Sequence, residues 1–157
     1  MPAPLRRLAF LLVLLAPLSA CFLTRPVEKP TAVVRGASIS IASLTALEGE
    51  LALDVSNPNS FGLPLTGIDW ELAIAGAAAV SGRVAAQTTI PAMGSAPVTT
   101  ALRIDLANAA AAAAALARGA RDYQLAVRLH FSTQLGDLTV DLRHQGSIAG
   151  GLPSLPW

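Results

Sequence analysis

Apolar and polar residues alternate along most of the chain after residue 30. Apolar side chains recur at every second position in five stretches: Ile39–Ile41, Leu51–Val55, Ile68–Ile74, Tyr123–Phe131 and Leu138–Leu142. A sixth stretch continues the pattern at Val98, Leu102 and Ile104. A period of two sends one face of a strand inward and the other to solvent, which is typical of antiparallel sheets with one wet face. The pattern therefore predicts a mainly β fold.

One segment departs from this alternation. Residues 109–115 are an unbroken run of alanine, the residue with the best intrinsic helix propensity, so we predict a single helix from Asp105 to Gly119 inserted between strands. Asp105 suits the N-cap, Gly119 suits the left-handed position after the last turn, and Arg118 and Arg121 lie near the negative end of the helix dipole. Compositional drift toward alanine also explains the run, and no binding role is assigned to it.

The first 21 residues have the pattern of a bacterial lipoprotein signal. Arg6 and Arg7 precede an apolar stretch, Leu8 to Ala16, that is too short to span a bilayer. A lipobox then leads into a cysteine: Leu18, Ser19, Ala20 and Cys21. Cys21 is predicted to become the acylated mature N-terminus, and two or three acyl chains make a stable membrane anchor. The alternative is an ordinary secretory signal with an incidental cysteine.

This interpretation sets the domain boundaries and the cellular location. Residues 1–20 are the signal peptide, 21–30 the acylated N-terminus and a proline-marked tether, 31–150 the folded domain and 151–157 a C-terminal tail. The expected location is the cell envelope, with the membrane as partner through the lipid anchor. Phe22 stands where an aspartate would commonly retain a lipoprotein in the inner membrane, so we expect the outer membrane, facing the periplasm.

Charge and cysteine content narrow the function classes. Without residues 1–20, 137 residues remain, enough for one domain, and nine basic residues face ten acidic ones for a formal charge of −1. This near-neutral chain lacks the excess of positive charge with which proteins bind the phosphates of nucleic acids. Cys21 is the only cysteine, so no disulfide and no thiolate chemistry are expected once it is acylated.

Candidate catalytic residues do not converge in the sequence. Strand parity sends Asp69, Asp141 and His130 to solvent-facing positions, and His130 and His144 lack a neighbouring acidic cluster that would make a metal site. Ser81-Gly82 is interpreted as a bulge or turn rather than a nucleophile. No nucleophile elbow, zinc-binding helix, P-loop or dinucleotide fingerprint is present. We expect a non-enzyme with no cofactor, no metal and no catalytic residues.

Turn-forming residues are concentrated in Asn57–Leu65, between two strong strands. Pro58 keeps Asn57 extended, the Asn57 side chain can bond nearby backbone groups, and Asn59 tolerates a left-handed conformation. We interpret Asn57, Pro58 and Asn59 as a rigid structural turn that sets the strand register. The alternative is that the two amides bind a ligand.

This motif and its flanking strands carry a family resemblance. Leu51 to Asn59, the following Phe61 to Leu65, the strand Ile68–Ile74 and Ile90-Pro91-Ala92 resemble the late-embryogenesis-abundant type 2 proteins, whose module is the WHy domain (water stress and hypersensitive response). The resemblance covers about residues 31–150. It implies an antiparallel β-sandwich of about seven strands, similar to fibronectin type III or immunoglobulin domains, with one α-helix. It implies no catalytic residues.

The resemblance also implies a role in stress. The leading hypothesis is a non-catalytic envelope lipoprotein that protects against desiccation or osmotic stress by binding or shielding client proteins or lipids, and that acts as a monomer. The first alternative is a structural or assembly subunit of an envelope complex, docking through a sheet edge or the tail that ends at Trp157. The second is a lipid carrier with an apolar cleft between the sheets or beneath the helix.

Overall fold

The structure is a computed structural model that describes residues 26–43, 45–106 and 110–149, leaving aside the side chains of residues 77–79. The predicted signal peptide, lipobox and Cys21 lie outside the described residues, as does the predicted tail 151–157. Within the described part of the chain, no helix is long and apolar enough to cross a membrane.

Within the residues that the structure describes, seven strands form two antiparallel sheets, and a short helix lies between the fifth and sixth strands. The elements in chain order are β1 (Thr31–Ile41), β2 (Ala46–Asn57), β3 (Leu63–Ile74), β4 (Ala77–Ile90), β5 (Gly94–Asp105), α1 (Ala110–Ala117), β6 (Asp122–Thr133) and β7 (Gly136–Ser147). The strand orders are β1-β2-β5 and β4-β3-β6-β7. The predicted fold class, an antiparallel β-sandwich of seven strands with one helix, is confirmed.

The core lies between the inner faces of the two sheets and follows the predicted alternation. In β6 every second residue is buried while those between are exposed or half-buried, and the inner set is Tyr123, Leu125, Val127, Leu129 and Phe131. β2 repeats the pattern at Leu51, Leu53 and Val55. These side chains belong to a single buried cluster, so packing of the two sheets against each other stabilises the domain.

The interpretation of Ser81-Gly82 as a bulge or turn is wrong. Both residues lie inside β4, where Ser81 pairs with Glu71 and Gly82 pairs with Trp70. The indole of Trp70 lies against Gly82 so closely that a Cβ at residue 82 would overlap the ring. Glycine is therefore required there for close packing inside a strand rather than for a change of chain direction.

The helix is shorter than predicted at its start. β5 continues to Asp105, which pairs with Ala46 in the sheet, and α1 begins at Ala110. Sheet pairing therefore extends into the segment that propensity alone assigned to the helix. α1 packs against β4 and β3, and its buried residues Ala112, Ala115 and Leu116 join the core cluster.

The C-terminal end of α1 has the predicted cap. Gly119 has a φ of 91°, its N–H donates to Leu116 O at 2.9 Å, and Ala120 N–H donates to Ala115 O at 3.0 Å. These two bonds form a Schellman motif. The Arg121 guanidinium donates to Leu116 O at 3.2 Å, which places its positive charge at the negative end of the helix dipole.

The topology gives the sandwich two distinct ends, separated by 12-residue strands that span roughly 37 Å. We call the first the tether end, because residues 26–30 enter the domain there, beside the turns at 58–62, 91–93 and 134–135. The opposite end carries α1 and the connections β1–β2 and β3–β4. Ile148 and Ala149 also lie there, bonded through their N–H groups to Arg121 O and Ile39 O.

Candidate functional site

Asn57 is fully buried at the end of β2 and organises the turns of the tether end. The two hydrogens of its side-chain amide are shared among three carbonyl oxygens, with Nδ2 at 2.7 Å from Phe61 O, 3.3 Å from Ile90 O and 3.2 Å from Pro91 O. Its Oδ1 accepts from the backbone N–H and the side-chain amide of Asn59, both at 3.0 Å. One side chain thus joins the β2–β3 turn to the β4–β5 turn and satisfies buried backbone groups of both.

Asn59 connects this turn to the segment that precedes β1. Its Nδ2 donates to Glu28 O and its Oδ1 accepts from Glu28 N–H, both at 2.8 Å. The amide therefore pairs with the backbone of Glu28 as a neighbouring strand would. Met93 N–H donates to Asn59 O at 2.8 Å, and Asn59 is itself 6% exposed. We call this arrangement of Asn57, Asn59 and Glu28 the amide clamp.

The clamp joins part of the predicted tether to the domain. Within residues 21–30, predicted to be the acylated N-terminus and tether, Glu28 is bonded to the domain and Pro30 is buried. The two amides that sequence reasoning considered as ligand-binding groups bond to the backbone of this chain and to each other. Glu28 was missed because its bonds use only backbone atoms, which the side-chain pattern cannot reveal.

A row of alternating charges crosses the outer face of the four-stranded sheet. The register places Asp69 between Arg83 and Arg128, and Arg128 beside Asp141. Arg83 Nε lies 3.1 Å from Asp69 Oδ1, and Arg128 Nε donates to Asp141 Oδ1 at 2.6 Å. The bond to Asp141 raises the pKa of Arg128, and the charge of Asp141 adds to this effect. We call these four residues the charged row.

The imidazole of His130 lies beside the charged row. Its Nε2 lies 2.7 Å from Asp69 Oδ2, and its side chain is half-buried. Strand parity predicts that His130, Asp69 and Asp141 lie on the outer face, where they are found, but it does not predict these contacts. Their pairing depends on strand register, which alternation along one strand does not specify.

The charged row borders a shallow depression of about 810 Å³ in the outer face. Two arginines and two aspartates balance each other there, so the row attracts no ionic ligand through net charge. Exposed pairs of this kind contribute little to stability, typically below about 1 kcal/mol each. In the described ranges, no three His, Cys, Asp or Glu side chains are grouped so that they could hold a metal ion.

His144 and Tyr123 form a second contact, at the opposite end of the same sheet. Their ring centroids are 6.2 Å apart, and the Tyr123 hydroxyl donates to Ala37 O at 3.2 Å, which joins the two sheets. Burial raises the pKa of Tyr123. Gly146 leaves room for the Tyr123 ring, so these residues pack the interior rather than present chemistry to a ligand.

Comparison with known proteins identifies relatives by sequence and by fold. The family model of the late embryogenesis abundant proteins matches residues 52–146, from the middle of β2 almost to the end of β7. Among curated proteins, none matches the chain.

Three solved structures share the fold at low sequence identity. A protein assigned to the late embryogenesis abundant proteins has a TM-score of 0.63 and 20% identity, covering 94% of this chain and 87% of its own. An Arabidopsis thaliana protein has a TM-score of 0.61 and 16% identity, with coverages of 85% and 89%. A protein from Archaeoglobus fulgidus has a TM-score of 0.57 and 12% identity, with coverages of 81% and 99%.

Proposed function

Because the chain belongs to the late embryogenesis abundant type 2 family, we propose that it is a non-catalytic, stress-protective protein of the cell envelope. The family match over residues 52–146 is the observation that carries this proposal. In the proposed mechanism the WHy-like sandwich binds or shields client proteins or lipids when water is withdrawn, and it acts as a monomer. Such a role requires a folded surface and no turnover.

The proposal includes membrane anchoring through Cys21. Support comes from the sequence Leu18-Ser19-Ala20-Cys21 after a short apolar segment. The Cys21 thiolate takes a diacylglyceryl group, the signal peptide is removed, and the freed amine is available for a further acyl chain. Phe22 favours the outer membrane, with the domain in the periplasm. The amide clamp then holds the chain to the domain seven residues after the anchor.

Protection of a labile enzyme tests the proposed function. The Cys21→Ala protein without residues 1–20 keeps the clamp and is expected to preserve a test enzyme through drying or freeze-thaw better than an equal mass of an unrelated β-sandwich. A matched control is the same protein with Asn57→Asp, which has nearly the same composition but a destabilised fold. We expect its protection to fall in proportion to its unfolded fraction, because protection depends on the folded surface.

Two results would contradict the proposal. One is protection no better than that of the unrelated sandwich. The other is a deletion strain that survives drying and osmotic shock as its parent does. Both together would leave the assembly-subunit alternative, which predicts that one fixed envelope protein co-purifies with the acylated chain.

A further inference from the structure

Exposed apolar side chains are gathered toward the tether end. Of the large hydrophobic residues that the structure describes, four are exposed: Phe61, Met93, Leu135 and Val33. The first three occupy the three turns of the tether end and are 42%, 73% and 78% exposed. Val33 is the third residue of β1, which starts at the same end. The concentration of such residues at one end is typical of a contact surface.

The turns that carry these side chains are free of charge. Residues 58–62, 91–93 and 134–135 include no Asp, Glu, Lys or Arg. Phe61 and Leu135 border one hollow of about 670 Å³, which Val27 and Pro64 also line. The opposite end carries Arg118 and Arg121 in the connection that follows α1, and Asp122 at the start of β6. The turns at the tether end are therefore uncharged, while the charged residues of this end are Glu28 and Lys29 in the entering segment and Asp137 at the start of β7.

Met93 is held in a conformation that its residue type disfavours. Its φ is 50°, in the left-handed region, where glycine or asparagine is the usual residue. Gly94 N–H closes this turn onto Pro91 O at 3.3 Å. Ala75, in the β3–β4 turn of the opposite end, has the same φ of 50°. What distinguishes Met93 is the long, exposed apolar side chain that it carries at the tip of its turn.

The tether brings this end close to the membrane. Pro26 is five residues after Cys21, and five residues extend over at most about 18 Å. The amide clamp fixes Glu28 against the turn that carries Phe61, so the anchored lipid cannot swing to the opposite end, roughly 37 Å away along the strands. While the clamp is closed, the tether end therefore stays within about 18 Å of the anchor.

We propose that the tether end docks onto the lipid surface, with Phe61, Met93 and Leu135 inserted among the headgroups. This inference rests on the proposed acylation of Cys21. The acyl chains and the turn tips act as two membrane-binding elements at one end of the domain. Together they hold the strands of the sandwich upright, along the membrane normal. The opposite end then faces away from the bilayer, and the charged row lies on the side of the upright domain.

Single-cysteine labelling in vesicles tests the docking surface, because acylated Cys21 leaves no other thiol. The acylated full-length protein with Leu135→Cys or Phe61→Cys is labelled with an environment-sensitive fluorophore and reconstituted into phosphatidylethanolamine and phosphatidylglycerol vesicles. Ala114→Cys, on the exposed side of α1, is the matched position at the opposite end. We expect blue-shifted emission and several-fold weaker quenching by aqueous iodide at residues 61 and 135, and water-like behaviour at residue 114.

A second variant removes the apolar tip without straining the fold. Met93→Asn tolerates the left-handed conformation better than methionine does, so the protein should remain at least as stable. We expect Met93→Asn in the Phe61→Cys protein to restore part of the iodide quenching while the protein still floats with the vesicles.

The outcomes separate the docking surface from the anchor. A wild-type protein that does not float with vesicles would refute the proposed acylation, and this inference would fall with it. A protein that floats while the probes at residues 61 and 135 are quenched as freely as the probe at 114 would overturn the docking surface alone. A blue shift in the Cys21→Ala protein in solution that grows with protein concentration would assign the patch to a second copy and also overturn the inference.

Discussion

Removal of the Asn57 amide is the sharpest test of how the tether end is built. Asn57→Ala deletes a fully buried group that donates to Phe61 O, Ile90 O and Pro91 O and accepts two bonds from Asn59. The alanine methyl group replaces none of these bonds. Phe61 O and Ile90 O then lose this donor, while Pro91 O keeps its bond from Gly94 N–H and the Asn59 amide keeps its bond to Glu28 O.

The expected loss follows from the number and quality of these bonds. A protein hydrogen bond contributes about 0.5–1.5 kcal/mol net, and an orphaned buried group costs about 1–3 kcal/mol. With one short donated bond and two longer ones, we expect the free energy of unfolding to fall by roughly 3 kcal/mol. For a domain of this size that corresponds to a decrease in Tm of roughly 10 °C.

Asn57→Asp keeps the shape of the side chain and should be worse than alanine. Replacing the amide nitrogen with oxygen turns three donated bonds into repulsion between lone pairs, and burial of an unpaired carboxylate adds a desolvation cost. The control is Ser60→Ala, an exposed position in the same turn that should change stability by less than about 0.5 kcal/mol.

Urea denaturation followed by circular dichroism measures the free energy of unfolding of Asn57→Ala, Asn57→Asp and Ser60→Ala against the parent. A free energy of unfolding of Asn57→Ala within about 0.5 kcal/mol of the parent value would refute the structural role of the amide. A stable Asn57→Ala protein that loses a binding activity would instead make the amides ligand-binding groups.

Individual contacts give three further predictions. Asn59→Ala should open the amide clamp, lowering the free energy of unfolding by roughly 1–2 kcal/mol and accelerating cleavage after Glu28 by a glutamate-specific protease; unchanged cleavage kinetics would contradict the clamp. Gly82→Ala should lower stability by roughly 1–3 kcal/mol because its Cβ overlaps the Trp70 indole, and equal stability in a melting experiment would show that the close packing is wrong. Tyr123 is the only tyrosine of the chain, and burial raises its pKa above the ordinary 10.0. Its contribution to the free energy of unfolding is therefore present below pH 10 and is lost as the pH rises through the folded-state pKa. Absorbance of the tyrosinate should therefore appear only above pH 10 and together with unfolding, whereas a titration at pH 10 in a protein that stays folded would contradict the burial.

The sequence predicted the fold where one physical signal dominates. Strict alternation in β6 and β2 is sufficient to identify half-buried strands, because each strand packs one face against the core. β4 was missed because its alanines and glycine give no contrast between faces, and it forms only through pairing with β3. The helix start was misplaced for a related reason, since Asp105 pairs with Ala46 in a strand despite the helix-forming run that follows.

The candidate site was predicted only in part. Asn57 and Asn59 stand out from the sequence because asparagine and proline together signal a turn. The bonding of Asn59 to Glu28 joins residues 31 positions apart, and the pairing of His130 with Asp69 joins residues 61 apart. Contacts at such separations depend on topology and register, which no local pattern encodes.

The mass of the mature N-terminal peptide tests the proposed lipid anchor most directly. Arg25 and Lys29 are each followed by proline and resist trypsin, so digestion of the membrane fraction should release one peptide, Cys21–Arg35. We predict that this peptide carries a diacylglyceryl group on Cys21, and that Cys21→Ala shifts the protein to the soluble fraction. An unmodified Cys21 in a mature protein, or a Cys21→Ala protein that stays with the membrane after a carbonate wash, would contradict the lipid anchor on which the proposed envelope function depends.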